Sequence, residues 1–220
     1  MHQLHPGAGA GVELQALHAR IRACTRCGLH ATRANAVPGT GPVPSDVMIV
    51  GEAPGFNEDL QARPFVGPAG RLLDTLLDRI ELTRERVFIT NVLKCRPPQN
   101  RDPLPTEAEA CMPYLRRQFT LVRPRAVLVL GNHAVQQMLP GVGPISGVHG
   151  RLFERMGVAF MPCYHPAAAL HNAALLGDLE ADFDRVRAYL DDATQPPGDG
   201  AGDPADAGER PAPGEQLRLL

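Results

Sequence analysis

Four of the five cysteines have a spacing that suits metal binding. Cys24 and Cys27 form a CxxC pair, and Cys95 and Cys111 follow with fifteen residues between them. We recognise no secretory signal, so we expect a cytoplasmic chain whose thiols stay reduced. Four thiolates bind zinc or an iron–sulfur cluster, and the spacing alone leaves the metal open. Cys163 follows an apolar run and is expected to pack as a small buried hydrophobe.

Glutamate, asparagine and histidine side chains stand at the ends of predicted strands. Glu52 lies in GEAPG after the first apolar run, Asn91 ends the second, and His165 follows the fourth. Ligands of parallel α/β sheets bind at this edge, so the three residues suggest a site. The structural alternatives are a helix-start acid at Glu52 and a turn residue at His165. Neither GxGxxG nor a Walker-type phosphate loop occurs, which disfavours a nucleotide cofactor.

The loop after the first strand has features of a binding pocket. Gly51, Pro54 and Gly55 allow the backbone to turn sharply and approach a ligand, although a tight strand-to-helix turn needs the same residues. Phe65 lies in the loop RPFVGPAG, where its ring is placed to stack on a planar base. The alternative for Phe65 is a core anchor.

Short β-branched runs and helical patterns alternate along the chain. The strands are expected at 47–50, 87–91, 126–130 and 158–163, and the helices at 13–22, 70–80, 106–119, 133–139 and 178–190. Thr106 with Glu109 three residues later predicts a capping box at the start of one helix. Strands separated by helical crossovers predict an α/β sandwich with a parallel central sheet, which would bring the strand-end residues together.

The charge of the chain is unevenly distributed. The formal net charge of −2 excludes a protein that holds nucleic acid by bulk charge alone. Residues 192–220 contain six acids and two bases, so residues 1–191 carry a net charge of +2. Residues 192–213 are rich in Pro, Gly, Asp and Ala and predict a disordered linker after a domain at 1–191. No apolar run is long enough to span a membrane.

Taken together, these motifs resemble the family 4 uracil-DNA glycosylases. The resemblance rests on GEAPG, Glu58–Asp59, PFVGPAGRLLD, TNVLKCRPPQNR, YHPAAAL and the four cysteines, and it runs from about residue 24 to residue 190. It implies a three-layer α/β/α sandwich with a four-stranded, mainly parallel sheet. It also implies a 4Fe-4S cluster held by Cys24, Cys27, Cys95 and Cys111.

The resemblance assigns roles to the strand-end residues. It implies that Glu52 positions or activates water near the sugar and that Phe65 stacks on a flipped uracil. It implies that Asn91 reads the uracil edge and that His165 bonds the uracil oxygen nearest the glycosidic bond. Backbone groups of the pocket loop would complete the site, and these belong to Gly51, Ala53, Pro54 and Gly55.

The expected activity is that of a monofunctional uracil-DNA glycosylase, which leaves an abasic site and initiates base excision repair. The substrates would be single- and double-stranded DNA that contains uracil. Lys94 is the only lysine and adjoins a cluster ligand, which argues against a Schiff base with the sugar. Phosphate contacts are expected from Arg63, Arg96 and Arg101, and also from Arg26 and Arg33.

The chain ends in GEQLRLL, where hydrophobicity returns after the linker. QLRLL resembles the short peptide by which bacterial repair proteins bind the DNA polymerase sliding clamp. Its contact residues would be Gln216, Leu217, Leu219 and Leu220, within a segment 214–220. The alternative is that the leucines fold back on the body. We further expect a monomer associated with the nucleoid. The competing function is an iron–sulfur or zinc-stabilised nucleic-acid-binding protein without glycosylase activity.

Overall fold

The computed structural model describes residues 6–192. The linker beyond residue 192 and the peptide at 214–220 therefore lie outside the described residues. Five strands form one sheet, and they are β1 (Val47–Gly51), β2 (Val87–Asn91), β3 (Ala126–Leu130), β4 (Phe153–Arg155) and β5 (Val158–Cys163). The strand order is β2-β1-β3-β5-β4, and the first four strands in this order are parallel. The expected crossover topology is confirmed.

Helices cover both faces of the sheet. Within residues 6–192 the α-helices are α1 (Pro6–Arg22), α2 (Phe56–Gln61), α3 (Pro68–Arg79), α4 (Pro105–Val122), α5 (Asn132–Met138), α6 (Ile145–Val148), α7 (Pro166–His171) and α8 (Ala174–Asp192). Short 3-10 helices occupy Gly28–Ala31 and Pro98–Asn100. No helix in this part of the chain combines the length and apolarity that a bilayer span requires.

The alternation of side chains along the strands divides the core into two layers. Met48 and Val50 of β1 pack in one cluster with the apolar faces of α1, α4 and α5. Val47 and Ile49 point to the other face and pack with residues of α3, α7 and α8. The side chains of β1, β2 and β3 are buried on both faces, as in other parallel sheets. The expected three-layer α/β/α class is confirmed.

The sheet has five strands where the sequence predicts four. The additional strand, β4, is a three-residue antiparallel edge strand in which Phe153 lies opposite Phe160 of β5. A tight turn through Met156 and Gly157, both with positive φ (56° and 69°), joins the two strands. The segment FER shows too little apolar alternation to predict a strand, because its formation depends on pairing with β5.

Helix α4 begins one residue earlier than predicted and uses a different acid. The carboxylate of Glu107, not that of Glu109, accepts a hydrogen bond from the backbone N–H of Leu104 at 2.9 Å. Pro105 occupies the first position of the helix, where its missing N–H costs nothing. The predicted capping box of Thr106 and Glu109 is therefore wrong.

Candidate active site and cysteine cluster

A cavity of about 770 Å³ opens at the carboxyl ends of β1, β2 and β5. Four side chains that the sequence analysis singled out line it together: Glu52, Phe65, Asn91 and His165. Ala53, Pro54 and Gly55 line the same cavity, whereas Gly51, which was predicted with them, is not among its lining residues. The four side chains come from four separate segments of the sequence. The fold brings them together at one edge of the sheet, as expected for strand-end residues.

Asn91 lines this cavity and has a buried side-chain acceptor without a partner in the described part of the chain. It is the last residue of β2, lies beside Gly51 in the sheet register and is 2% exposed. Its Oδ1 atom has no hydrogen-bond partner among residues 6–192. A Cβ on Gly51 would lie only 2.4 Å from this oxygen and 2.7 Å from Cζ of Phe65. Gly51 therefore allows the side chains of Asn91 and Phe65 to approach the strand closely, and a side chain at this position would collide with both.

Phe65 is held in an unusual backbone conformation. Its φ is +52°, which costs energy for a residue with a side chain and must be stabilised by surrounding contacts. The Oε1 atom of Glu58 accepts hydrogen bonds from the N–H groups of Val66 (2.8 Å) and Gly67 (2.9 Å). Arg84 donates to the carbonyl oxygen of Phe65 from the other side of the loop. These bonds fix the ring at the cavity wall.

Glu58 and Arg84 were not assigned roles by the sequence analysis. Glu58 lies in one of the quoted motifs, so its position was signalled but its function was not. Arg84 lies 19 residues after Phe65, and nothing in the sequence marks it. Gly70 is also required at this loop, because a Cβ there would lie 1.8 Å from the carbonyl oxygen of Phe65.

His165 is fixed as a neutral hydrogen-bond donor. It caps α7, and its Nδ1 atom accepts a hydrogen bond from the N–H of Ala167 at 3.1 Å. The proton of the neutral ring is therefore on Nε2. Burial lowers the pKa of His165 to about 4, so the ring is uncharged at neutral pH. The ring lies partly parallel to that of Phe65, with 5.6 Å between centroids.

Glu52 lies directly after β1, with a side chain that is 30% exposed. Its backbone carbonyl accepts a hydrogen bond from the N–H of Leu93, which joins the two strand-end loops. Burial raises the pKa of its carboxyl above the ordinary value, while the charge and hydrogen bond of His133 act in the opposite direction. Nδ1 of His133 lies 2.8 Å from Oε2 of Glu52. His133 was predicted as the first residue of a helix, and no role in a site was assigned to it.

The arginines expected at phosphates have different surroundings. Arg63 is exposed in the loop before Phe65. The guanidinium of Arg96 lies 5.1 Å from the ring centroid of Phe56, and its Nε donates to Asn100. Arg101 lines the cavity while both of its terminal nitrogens bond the carboxylate of Glu107.

The four cysteines of the predicted metal site line one cavity. Cys24 and Cys27 follow α1, Cys95 follows β2, and Cys111 lies in α4. None forms a disulfide, and Cys95 and Cys111 are buried. Cys163 lies apart from them and is fully buried, as expected of a packing residue.

The surroundings of the sulfur atoms suit anionic ligands. NH1 of Arg33 donates to Sγ of Cys95 at 2.9 Å, and the backbone N–H of Lys94 donates to Sγ of Cys111 at 3.3 Å. Burial raises the pKa of Cys111 to about 11, so a bound cation is what would keep this thiolate ionised. NH2 of Arg33 also bonds two backbone carbonyls, those of Arg22 and Cys24. Arg33 therefore serves the cysteine cavity instead of the expected phosphate.

The fold and the cavity define a class of base-excision enzyme, and the comparison with protein families agrees. The family model described as the uracil DNA glycosylase superfamily matches residues 38–191, and the chain belongs to this superfamily. Within it, a type-4 uracil-DNA glycosylase of Archaeoglobus fulgidus is 46% identical over 174 residues, covering 76% of this chain and 87% of the relative.

Two further relatives are also named as uracil-DNA glycosylases. A type-4 uracil-DNA glycosylase of Sulfurisphaera tokodaii is 43% identical over 183 residues, covering 79% of this chain and 83% of the relative. A type-5 uracil-DNA glycosylase of Pyrobaculum aerophilum is 32% identical over 157 residues, covering 64% of this chain and 69% of the relative. The resemblance to the family 4 enzymes is thereby confirmed.

Proposed function

We propose that the chain is a monofunctional uracil-DNA glycosylase that acts on single- and double-stranded DNA. It flips uracil out of the strand, hydrolyses the N-glycosidic bond and leaves an abasic site, which initiates base excision repair. The observation that carries this proposal is the buried, unpartnered Oδ1 of Asn91 at the wall of the cavity. A flipped uracil offers the N–H donor that this acceptor lacks.

Recognition of the base follows from the orientation of the Asn91 amide. With Oδ1 accepting from the N3–H of uracil, the amide nitrogen is free to donate to the neighbouring carbonyl oxygen of the base. Cytosine presents the reversed pattern, with an acceptor at N3 and a donor amino group beside it. The acceptor would face Oδ1 of Asn91 and the amino group would face the amide nitrogen, so neither hydrogen bond forms. Phe65, held by Glu58 and Arg84, offers its ring as a stacking platform for the base.

Bond cleavage develops negative charge on uracil and positive charge on the sugar. His165 donates from Nε2 to the base oxygen nearest the glycosidic bond, and its neutral ring is fixed before the reaction begins. Glu52 supplies the carboxylate that orients the attacking water, takes up its proton and stabilises the sugar cation. The two side chains thus act on opposite charges of one transition state.

Lys94 has no part in this chemistry. Its side chain is 1% exposed, and its Nζ donates to Oγ1 of Thr90 and to the carbonyl oxygen of Asn91. An amine so placed does not reach a sugar carbon in the cavity, which supports hydrolysis by water over a Schiff-base mechanism. Borohydride is therefore expected to trap no protein–DNA adduct.

The experiment that tests the proposal uses labelled oligonucleotides with one uracil, cytosine or thymine at the same position. After incubation with the protein, alkali cleaves the strand wherever a base has been removed. We expect cleavage at uracil alone, with an uncleaved strand when alkali is omitted. A nucleic-acid-binding protein without glycosylase activity would retain the oligonucleotide and yield no alkali-sensitive site.

The cysteine cavity is proposed to hold a 4Fe-4S cluster through Cys24, Cys27, Cys95 and Cys111. The four cysteines come from three separate segments of the chain and line one cavity. The similarity to the family 4 enzymes favours a cluster over a single zinc ion at this cavity. When bound, the cluster would cross-link α1, the loop after β2 and α4. Absorbance near about 400 nm distinguishes iron from zinc.

Arg33 is expected to determine how long such a cluster survives. In Arg33→Ala, the N–H···S bond to Cys95 and both carbonyl bonds are lost, and a hydrogen bond to a charged group contributes about 1.5–3 kcal/mol. We expect iron to be lost to a chelator roughly tenfold faster or more, measured as bleaching of the visible absorbance. Arg20→Ala, at an exposed position of α1, is the matched control. Equal bleaching of Arg33→Ala and wild type would contradict this role.

The DNA backbone is proposed to contact Arg63, Arg96 and Arg101 around the cavity. The net charge of +2 on residues 1–191 supports local rather than bulk attraction. Arg96 remains partly exposed above Phe56, and Arg101 keeps its positive charge at the rim although Glu107 orients it. These groups would fix the strand in register and leave recognition of the base to the cavity.

The C-terminal peptide is proposed to bind the DNA polymerase sliding clamp through Gln216, Leu217, Leu219 and Leu220. These residues lie outside those that the structure describes, so the support is the sequence pattern alone. Deletion of 214–220 is expected to abolish clamp pull-down and to leave uracil excision from short oligonucleotides unchanged. Retained pull-down would contradict the proposal. We place the enzyme, as a monomer, in the cytoplasm with the nucleoid.

A further inference from the structure

Glu52, His133 and Asp102 form a chain of side-chain contacts at the carboxyl end of the sheet. Nδ1 of His133 lies 2.8 Å from Oε2 of Glu52, and its Nε2 lies 3.6 Å from Oδ2 of Asp102. Glu52 lines the cavity, whereas His133 is not among the residues that line it. Within residues 6–192, no other side chain hydrogen-bonds the carboxylate of Glu52. One oxygen of this carboxylate is therefore held by His133, and the other has no side-chain partner among the described residues.

We propose that His133 is a positioning residue for uracil excision, which holds Oε2 of Glu52 so that Oε1 is aimed at the attacking water. This inference rests on the proposed glycosylase function and adds a residue to its machinery. His133 touches neither base nor sugar in this arrangement, and it acts only through Glu52. Asp102, with its 80% exposed side chain, faces the second ring nitrogen from the solvent side.

The turn that carries His133 is rigid, as a positioning role requires. Gly131 follows β3 with φ +88°, and its N–H donates to the carbonyl oxygen of Cys163 at 2.9 Å. The side chain of Asn132 accepts a hydrogen bond from the N–H of Ile145 at 3.1 Å. His133 is thus placed by α5 from one side and by the sheet from the other.

The electrostatics of the cavity give His133 a second effect. Burial raises the pKa of Glu52, and the hydrogen bond and charge of His133 oppose that rise, whereas Asp102 adds to it. The other ionisable groups on the cavity wall include His171, and three more of them have separate partners or no charge. Glu58 bonds the Phe65 loop, Arg101 bonds Glu107, and His165 is neutral.

The pKa of Glu52 determines how the excision rate depends on pH. A carboxyl with a raised pKa is ionised only above that value, so the excision rate falls as the pH drops through it. Removal of the His133 donor raises the pKa further. The acid limb of the rate profile is therefore expected to move to higher pH in His133→Ala.

The test is single-turnover uracil excision, with enzyme in excess, across the acidic and neutral range. In His133→Ala the rate is expected to fall about 10- to 100-fold, as misplacement of a catalytic group does, with DNA affinity little changed. His133→Asn places an amide N–H near the position of Nδ1 and is expected to recover most of the rate. Gln136→Ala, at an exposed position of α5, is the matched control.

A double mutant separates positioning from a general structural defect. If His133 acts through Glu52, then His133→Ala lowers the rate of a Glu52→Gln enzyme by much less than it lowers the wild-type rate. Equal factors in both backgrounds, or a wild-type rate in His133→Ala, would overturn the inference while leaving the glycosylase function intact.

A readout that needs no catalysis completes the test. The Glu52 carboxyl is titrated by carbon-13 NMR in the full-length protein and in His133→Ala. A higher pKa of Glu52 in the variant supports a hydrogen bond from His133 that stabilises the ionised carboxylate. An unchanged pKa overturns the inference, even if the wild type released no uracil. Failure of uracil release by the wild type itself would instead overturn the proposed function.

Discussion

The Glu52→Gln enzyme is expected to excise uracil about 10²- to 10⁴-fold more slowly than the wild type. Glutamine fills the same space, but it has no charge to stabilise the sugar cation and no lone pair basic enough to take a proton from water. Its amide oxygen can still accept the hydrogen bond from His133, which lies 2.8 Å from the present carboxylate, so the contact itself is preserved. The loss should therefore appear in the chemical step.

Single-turnover kinetics and equilibrium binding to uracil-containing DNA measure this effect separately. We expect the rate to fall while the dissociation constant changes little, because Glu52 acts on charge that exists only in the transition state. Glu109→Gln, at an exposed position of α4, is the matched substitution and should behave as wild type. A Glu52→Gln rate within a few-fold of wild type would remove the carboxylate from the mechanism.

Substitution of His165 should have the second largest effect. In the proposed mechanism His165→Ala removes one donor to the developing oxyanion of uracil, and loss of one such donor typically lowers the rate by about 10²- to 10³-fold. Because the pKa of His165 is lowered to about 4, the ring donates as a neutral group throughout the working range. Its protonation is therefore not expected to set the acid limb of the profile, which belongs to Glu52.

Two comparisons distinguish this role from a packing defect beside Phe65. His165→Gln keeps a nitrogen donor near the position of Nε2 and should recover part of the rate. With 5-fluorouracil as the excised base, the leaving anion is intrinsically more stable, so His165→Ala should cost less than it does with uracil. An equal loss with both bases would show that His165 does not stabilise the leaving group.

The sequence predicts the parallel core of the fold because each inner strand is a buried, β-branched run. It does not predict β4, since Phe153 to Arg155 become a strand only by pairing with β5 at the sheet edge. The start of α4 was misplaced for a similar reason. Glu107 caps the helix and also bonds Arg101, a contact that no local pattern shows.

Some residues of the candidate site were also predictable from the sequence, and others were not. Glu52, Asn91 and His165 were predicted because each directly follows or ends a strand, and strand ends converge in a parallel sheet. His133 is 81 residues from Glu52, and its contact depends on how the turn after β3 packs. Arg33 was likewise expected to contact a phosphate. Its hydrogen bond to Cys95 was not predicted, because the two residues are 62 positions apart in the sequence. Long-range side-chain pairing is the part that required the structure.

The central claim is that this cavity hydrolyses the bond between uracil and deoxyribose and leaves the strand intact. Mass spectrometry of a single-uracil oligonucleotide after incubation with the protein tests it most directly. We expect free uracil and one full-length strand in which a hydroxyl group has replaced the base. A strand of unchanged mass, or fragments broken at the uracil position without alkali, would contradict it.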